Sequence, residues 1–240
     1  MTELLYVRDS YVRDFDALVD RIEGDGIVLD RTAFYPRGGG QPGDRGTLMW
    51  DSEESLILGL RKMGADVMHL LGGELPDEGT KVRGVIEWER RYASMRYHTA
   101  LHILSKAVFD LFGGLVTGSR VYLDRARMDF DLDTLDQDRV QRIEEVANRV
   151  IWEGREVSFR FLPREEALQI PDLIRTRVSL LPPTIRTIRV VEIAGFDVQA
   201  DGGTHVENTK EVGRTRIVKT INKGRLNRRI EIVLEPWDAV

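Results

Sequence analysis

Two histidines, His98 and His102, stand four residues apart in a stretch with helical periodicity. On an α-helix this spacing places both imidazoles on one face, one above the other. A third histidine, His205, ends an Asp-Gly-Gly-Thr-His segment that begins at Asp201, so a glycine turn presents both residues from neighbouring loop positions. Two helical histidines, a carboxylate and a loop histidine supply nitrogen and oxygen donors that could hold a zinc ion.

Each motif also has a plainer interpretation. A pair of histidines at this spacing occurs on many helices that bind no metal, and Asp-Gly-Gly-Thr is also a common hairpin turn. The pair is not of the metalloprotease type, because Thr99 follows His98 where a glutamate would be the general base. The remaining histidine, His69, lies in an apolar segment that resembles a strand, and we interpret it as structural.

Length and composition indicate an ordinary globular protein. The chain has 240 residues, of which 42% are hydrophobic and 31% charged, and this length favours one or two domains. The absence of cysteine excludes disulfides, Cys-ligated zinc and thiol nucleophiles. No apolar run approaches the length of a membrane span, and no secretory signal begins the chain, so we expect a cytoplasmic protein without a membrane partner.

The first part of the chain favours a small β-barrel. Short apolar or alternating runs are separated by glycine-rich turns up to about residue 88, which is typical of barrel strands. One segment, 14–22, is interpreted as a short helix, because Phe15, Leu18 and Ile22 share a helical face.

The second part favours an α+β arrangement. Helices are predicted over 93–112 and 135–152, the second with Thr134 as N-cap and Gln137 completing a capping box. Predicted strands follow, the last two forming a hairpin that turns near Lys223. Strands, then helices, then strands indicate α+β. We predict two domains, 1–88 and 89–240.

Three segments, in order, carry a resemblance to a known family. They are LDRTAFYPRGGGQPGD at 29–44, YHTALHIL at 97–104 and DGGTHVENTKEVG at 201–213. Together they resemble the editing domain of alanyl-tRNA synthetases and, most closely, the medium-length type of the free-standing alanyl-tRNA editing family, AlaX. The resemblance implies a zinc-binding editing domain of the type common to threonyl- and alanyl-tRNA synthetases, with one Zn²⁺ per chain.

The resemblance also implies an activity. Members of the family hydrolyse the ester that joins a wrong amino acid to the alanine tRNA, chiefly serine and in some members glycine. Such an enzyme must spare alanine, which requires buried polar groups that pair with the serine hydroxyl and that alanine would leave unsatisfied. Thr32, Gln41 and Asn208 are our candidates, because they are short polar residues inside the matching segments.

The sequence departs from the family at one ligand position. The synthetase domain usually has cysteine where this chain has Asp201, and a carboxylate is a harder ligand for zinc than a thiolate. Asp201 is therefore either a direct ligand or a group that orients the three histidines. Two roles for the metal stay open: it activates water, or it positions the substrate while another group or the terminal 2′-OH of the tRNA activates water.

Charge is distributed unevenly along the chain. The net charge is −5, yet residues 210–229 carry eight basic residues and one acidic residue. We expect the acceptor end of tRNA(Ala), not DNA, to be the partner, because acceptor-stem RNA offers phosphates and 2′-hydroxyls. The candidate RNA contacts flank the second and third matching segments: Arg90, Arg91, Arg96, Lys210, Arg214 and Arg216.

Two other functions remain compatible with the sequence. One is a deacylase of another mischarged tRNA, such as threonine tRNA, although the glycine-rich segment at 29–44 favours the alanine branch. The other is a tRNA- or metal-binding module without catalytic activity. The sequence leaves the oligomeric state open.

Overall fold

A computed structural model of the protein describes residues 1–178, 181 and 183–236. They divide into two compact units, Met1–Met95 and Arg96–Val240. The division falls inside a long helix, α1 (Trp88–Phe112), beyond the boundary near residue 88 that the sequence suggests. Hydrogen bonds explain the difference, because Arg90 and Arg91 at the start of α1 bond to Gly43 and Asp44 of the first unit. Among the described helices, none is long and apolar enough to span a membrane.

The first unit contains a closed barrel, as predicted. Six strands close it in the order β2-β3-β7-β6-β5-β8, and β1 pairs with β4 outside the ring. Apolar side chains including Val19, Ile27, Phe34 and Leu48 fill the interior. The strands are β1 (Glu3–Leu4), β2 (Asp14–Glu23), β3 (Gly26–Leu29), β4 (Arg31–Thr32), β5 (Gly46–Trp50), β6 (Glu53–Met63), β7 (Asp66–Leu71) and β8 (Lys81–Ile86).

The short helix predicted over 14–22 is wrong, because this segment is strand β2. Phe15, Ala17 and Val19 alternate with exposed residues and point into the barrel, so the period-2 pattern decides the conformation. Leu18 and Ile22, which suggested a helical face, are exposed. Pairing of β2 with both β3 and β8 is required to close the barrel, and a helix could not provide it.

The second unit combines helices with two antiparallel sheets. Strands β14, β15, β10 and β9 form one sheet in that order, and β11, β12 and β13 form the other. Sequence reasoning did not identify β9, β10 or β13. The elements after α1 are β9 (Val116–Val121), β10 (Ala126–Phe130), α2 (Gln137–Trp152), β11 (Val157–Pro163), α3 (Arg164–Ala167), β12 (Thr187–Ile193), β13 (Asp197–Ala200), β14 (Arg214–Asn222) and β15 (Arg228–Glu235).

Helix α2 begins two residues later than predicted, and its cap differs. Asp136, rather than Thr134, is the N-cap, and its carboxylate accepts a hydrogen bond from the Arg139 amide at 2.9 Å. A carboxylate at this position satisfies a free amide and also complements the helix dipole. Further along α2, Asn148 exchanges two hydrogen bonds with the backbone of Thr215 and so ties the helix to β14.

The three-stranded sheet separates its side chains by face. One face carries Ile188 and Val190, which pack in a buried apolar cluster with the residues around α3. On the other face, Phe159 of β11 lies opposite Val191 of β12, and Val191 lies opposite Gln199 of β13. Alternation along each strand fixes this division, and the second face bears polar groups.

Candidate metal centre

Helix α1 supplies two of the four residues of the centre. The helix contains neither glycine nor proline, and Gly113 ends it with φ of 70°. Buried apolar residues such as Leu101 and Leu104 anchor the helix in the core. His98 and His102 are both buried, with ring centroids 5.1 Å apart, which agrees with the predicted single face.

The loop after β13 supplies the other two residues. The Oδ2 atom of Asp201 accepts a hydrogen bond from the Gly203 amide at 2.6 Å, which folds the loop into a tight turn. Buried Arg189 holds the same turn, because its Nη1 donates to the carbonyls of Gly203 and Asp201 at 2.9 and 3.3 Å. His205 follows and its ring stacks on His98, with centroids 4.4 Å apart.

The four side chains meet with a geometry that fits a metal ion. One donor atom from each of His98, His102, Asp201 and His205 lies within 4.8 Å of the others. The Asp201 oxygens lie 3.6, 3.9 and 3.0 Å from Nε2 of His98, His102 and His205, respectively. Donors around a tetrahedral zinc ion are about 3.4 Å apart, given bonds of about 2.0–2.1 Å. Three imidazoles and a carboxylate therefore suit zinc in number, type and spacing.

A second layer of polar residues orients the histidines, and sequence reasoning missed it. Nδ1 of His102 faces the Oδ2 atom of buried Asp197 at 3.7 Å, and the Gln199 amide donates to the same oxygen at 2.7 Å. Arg175 forms a buried ion pair with the other oxygen of Asp197. The signal was present, because Asp197 and Gln199 alternate along β13 and Asp201 follows two residues later, just beyond the strand. Without β13 identified, however, the alternation carried no meaning.

His205 is oriented in a different way. Oγ1 of Thr99, one residue beyond His98 on α1, lies 3.1 Å from Nδ1 of His205 and accepts a hydrogen bond from the Val206 amide at 3.3 Å. This contact leaves Nε2 of His205 directed at Asp201. Partners on the far nitrogen of a ligating histidine fix its ring orientation and tautomer.

Burial and charge set the protonation of the cluster. Burial lowers the pKa of His98 to about 4 and the pKa of His205 well below its ordinary value. Burial also opposes protonation of His102, but the hydrogen bonds and charges of Asp197 and Asp201 outweigh it and raise the pKa to about 9. Although burial opposes ionisation of Asp201, the facing histidines hold its pKa well below the ordinary value. A bound cation would replace the proton on His102, since a ligating histidine must be neutral.

The candidate recognition residues lie in different units. Thr32 and Gln41, both buried, belong to the first unit, and the Thr32 hydroxyl lies 2.8 Å from Nε2 of His69. Asn208 belongs to the second unit, where its amide accepts from Lys210 N and donates to Gly154 O, both at 2.9 Å. The loop backbone thus holds the Asn208 amide, and a role of this residue in substrate recognition stays a prediction.

The candidate RNA contacts on α1 are largely committed to the protein. Arg91 is fully buried and pairs with Asp44, so it cannot reach a phosphate, and the expectation for this residue is corrected. The Arg90 and Arg96 side chains are partly buried and donate to the carbonyls of Gly43 and Val212, respectively.

The candidate RNA contacts at the end of the third matching segment and just after it lie at the surface. Lys210, Arg214 and Arg216 are exposed. Lys210 lies over the Trp152 ring at 5.8 Å, and Arg216 pairs with Glu235 at 3.0 Å.

Comparison with known proteins assigns both parts of the chain. Residues 188–231 match the family described as the threonyl and alanyl tRNA synthetase second additional domain, and residues 7–90 match class II (A) tRNA synthetases. The chain is 42% identical to an "Alanyl-tRNA editing protein AlaX-M" of Saccharolobus solfataricus, covering 98% of this chain and all of that protein. It is 39% identical to the protein of the same name in Methanosarcina barkeri, over 98% of this chain and 99% of that protein.

A longer protein is also similar. The chain is 40% identical to the "Alanine--tRNA ligase" of Pyrococcus abyssi over 91% of this chain, a region that makes up 24% of the ligase. The barrel, the α+β unit and the buried His/Asp cluster, taken with these matches, define a synthetase-related editing domain. Within that class, the near full-length identity shows that the chain belongs to the AlaX-M family of alanyl-tRNA editing proteins.

Proposed function

We propose that this protein deacylates mischarged tRNA(Ala), with serine as the main amino acid removed, glycine as a second candidate and alanine spared, and with one zinc ion held by His98, His102, Asp201 and His205. The observation that carries the proposal is the buried convergence of these four donors in a chain of the AlaX-M family. When bound, zinc supplies a positive charge that polarises an ester carbonyl or lowers the pKa of a water molecule.

The chain's own residues set the conditions for that chemistry. Asp197, held by Arg175, keeps His102 in place, while Arg189 keeps the Asp201 turn closed. Of the four donor side chains Asp201 is the most exposed, at 16%, so we place the approach of the ester on its side of the cluster. Preorganised donors of this kind cost no rearrangement during reaction.

Selectivity for serine is assigned to Thr32, with Gln41 nearby in the same glycine-rich segment. Nδ1 of His69 lies 3.4 Å from the Ile27 carbonyl, an acceptor, so this nitrogen carries the proton and Nε2 accepts from the Thr32 hydroxyl. Burial supports the neutral ring, because it lowers the pKa of His69 to about 4. Thr32 Oγ1 also accepts a hydrogen bond from the Phe34 amide. Its proton is donated to His69, so its remaining lone pair can accept a hydrogen bond from the hydroxyl of a serine substrate.

The first experiment measures release of amino acid from Ser-, Gly- and Ala-tRNA(Ala) by the purified protein, with and without a zinc chelator. We expect hydrolysis of the serine ester, loss of activity with chelator, recovery with added zinc, and little release of alanine. Intact RNA binding without hydrolysis in the presence of zinc would instead identify a binding module. Equal hydrolysis of Ser-tRNA(Thr) would indicate a deacylase of broader or different tRNA specificity.

Replacement of Thr32 tests the source of selectivity. Thr32→Val keeps the shape but removes the hydroxyl, and we expect the ratio of kcat/KM for seryl over alanyl esters to fall at least ~10-fold, because pairing with a substrate hydroxyl is the larger source of discrimination. Thr32→Ser keeps the hydroxyl and serves as the control, with a ratio close to that of the unmodified protein. An unchanged ratio in Thr32→Val would refute this role.

A further inference from the structure

We propose that Phe159 and Phe161 form a stacking surface for the unpaired terminal base of the RNA whose ester is cleaved at the metal centre. This proposal rests on the proposed function and adds a binding site for the nucleoside. Both rings are exposed, at 38% and 40%, and their centroids lie 5.8 Å apart with planes at 78°.

The two rings lie on the same face of the sheet as the metal centre. Phe159 is in register with Val191 and, through it, with Gln199, whose amide lies 3.3 Å from Nδ1 of His102. Phe161 is in register with Arg189, whose own neighbour across the sheet is the start of the Asp201 turn. The opposite face packs against the residues around α3. The aromatic pair therefore continues the surface on which the centre is built.

One side chain connects the aromatic pair to the centre. The Arg189 guanidinium carbon lies 4.6 Å from the Phe159 ring centroid, and the same guanidinium donates to the carbonyls of Asp201 and Gly203. A cation against one face of an aromatic ring fixes the ring and favours stacking on its exposed side. Through Arg189, the contact links Phe159 to the backbone of Asp201, the most exposed of the four donors.

The spacing matches one nucleoside. Strand β11 lies two strands from β13, a distance of about 10 Å at ~4.8 Å per strand. An amino acid ester is attached to the terminal ribose, so its base must lie within one nucleoside of the reacting carbonyl. Single-stranded RNA is bound mainly by stacking of bases on aromatic side chains, with little dependence on sequence. The exposed pair on β11 provides this chemistry at the required distance.

A double-mutant cycle of binding measurements, in which two RNAs are each titrated with two forms of the protein, tests the proposal independently of catalysis. The probes are a short single-stranded RNA ending in 3′ CCA and the same RNA without its terminal base. For the unmodified protein, we expect loss of the base to raise Kd about tenfold. For the Phe159→Ala/Phe161→Ala variant, we expect the two RNAs to bind equally, because the surface that senses the base is gone. Phe159→Tyr keeps an aromatic ring at this position, and we expect this variant to retain the difference between the Kd values of the two RNAs.

Control measurements separate this inference from the proposed function. Leu168→Ala removes another exposed apolar side chain of the same unit, and we expect it to leave both Kd values unchanged. If the double variant loses as much affinity on removal of the base as the unmodified protein, the proposal is overturned. The proposal is also overturned if the unmodified protein is a dimer, the double variant is a monomer, and removal of the terminal base affects binding to both proteins equally. That result would assign the rings to a contact between copies of this chain. Failure of the unmodified protein to hydrolyse Ser-tRNA(Ala) would contradict only the proposed function, since the cycle still reports base stacking.

Discussion

Asp201 has two roles within a few ångströms of each other. Its Oδ2 atom accepts the Gly203 amide that closes the turn, and its Oδ1 atom faces His98 and His102 at 3.6 and 3.9 Å. The family resemblance places a cysteine at this position in synthetase domains. A thiolate binds zinc well but is a weak acceptor for an amide. The carboxylate in this chain therefore closes the turn of the loop and is also placed to ligate the proposed metal.

Substitution at Asp201 separates these two roles. Asp201→Asn keeps an oxygen for the Gly203 amide but removes the negative charge, so we expect zinc affinity to fall at least ~10-fold, as it does when groups that support a site are removed. Competition with a chromogenic chelator measures the affinity, and thermal unfolding without zinc reports on the turn. Asp201→Cys should retain zinc but lose turn stability. Unchanged zinc affinity in Asp201→Asn would show that the three histidines suffice.

At the scale of single helices and strands, the sequence predicted correctly those elements whose conformation depends on their own residues. Helix α1 and its two histidines followed from periodicity and from the absence of glycine and proline, and the four residues predicted as metal donors do come together. Strand β2 was mistaken for a helix because Phe15, Leu18 and Ile22 share a helical face, whereas on the strand only Phe15 of these three points into the barrel. Only closure of the barrel, which depends on distant strands, decides between the two conformations.

The residues that sequence reasoning missed or misassigned share this dependence on distant parts of the chain. Arg91 was interpreted as an RNA contact because charge is visible in a sequence, whereas its partner Asp44 lies far away along the chain. Asp197 and its partner Arg175 were overlooked because β13 has only four residues, two of them polar, and so shows no clear hydrophobic pattern of a strand. A buried ion pair is invisible to local pattern, since each member alone resembles an exposed charge.

At the scale of the whole molecule, the count of basic residues in 210–229 overstates the positive charge that is available to bind an RNA. The segment 210–229 has eight basic residues, but Lys223 and Arg229 both pair with the largely buried Asp129, at 2.9 and 2.6 Å. Arg216 pairs with Glu235. Three of the eight basic residues are therefore already paired with carboxylates at the sheet formed by β9, β10, β14 and β15. An acidic protein of net charge −5 must then bind RNA through a few local cations rather than through its overall field.

Salt dependence tests which cations those are. We expect the Lys210→Ala/Arg214→Ala variant to bind tRNA(Ala) more weakly and to lower the slope of log Kd against log salt concentration by about 1.4–1.8, since each phosphate contact contributes roughly 0.7–0.9. Titration over a range of KCl concentrations measures the slope. Arg177→Ala removes an exposed arginine that pairs with Asp131 outside the segment, and its slope should match that of the unmodified protein. A double variant with an unchanged slope would exclude Lys210 and Arg214 as phosphate contacts, because the number of counterions released counts contacts directly and does not depend on how strongly the rest of the interface binds.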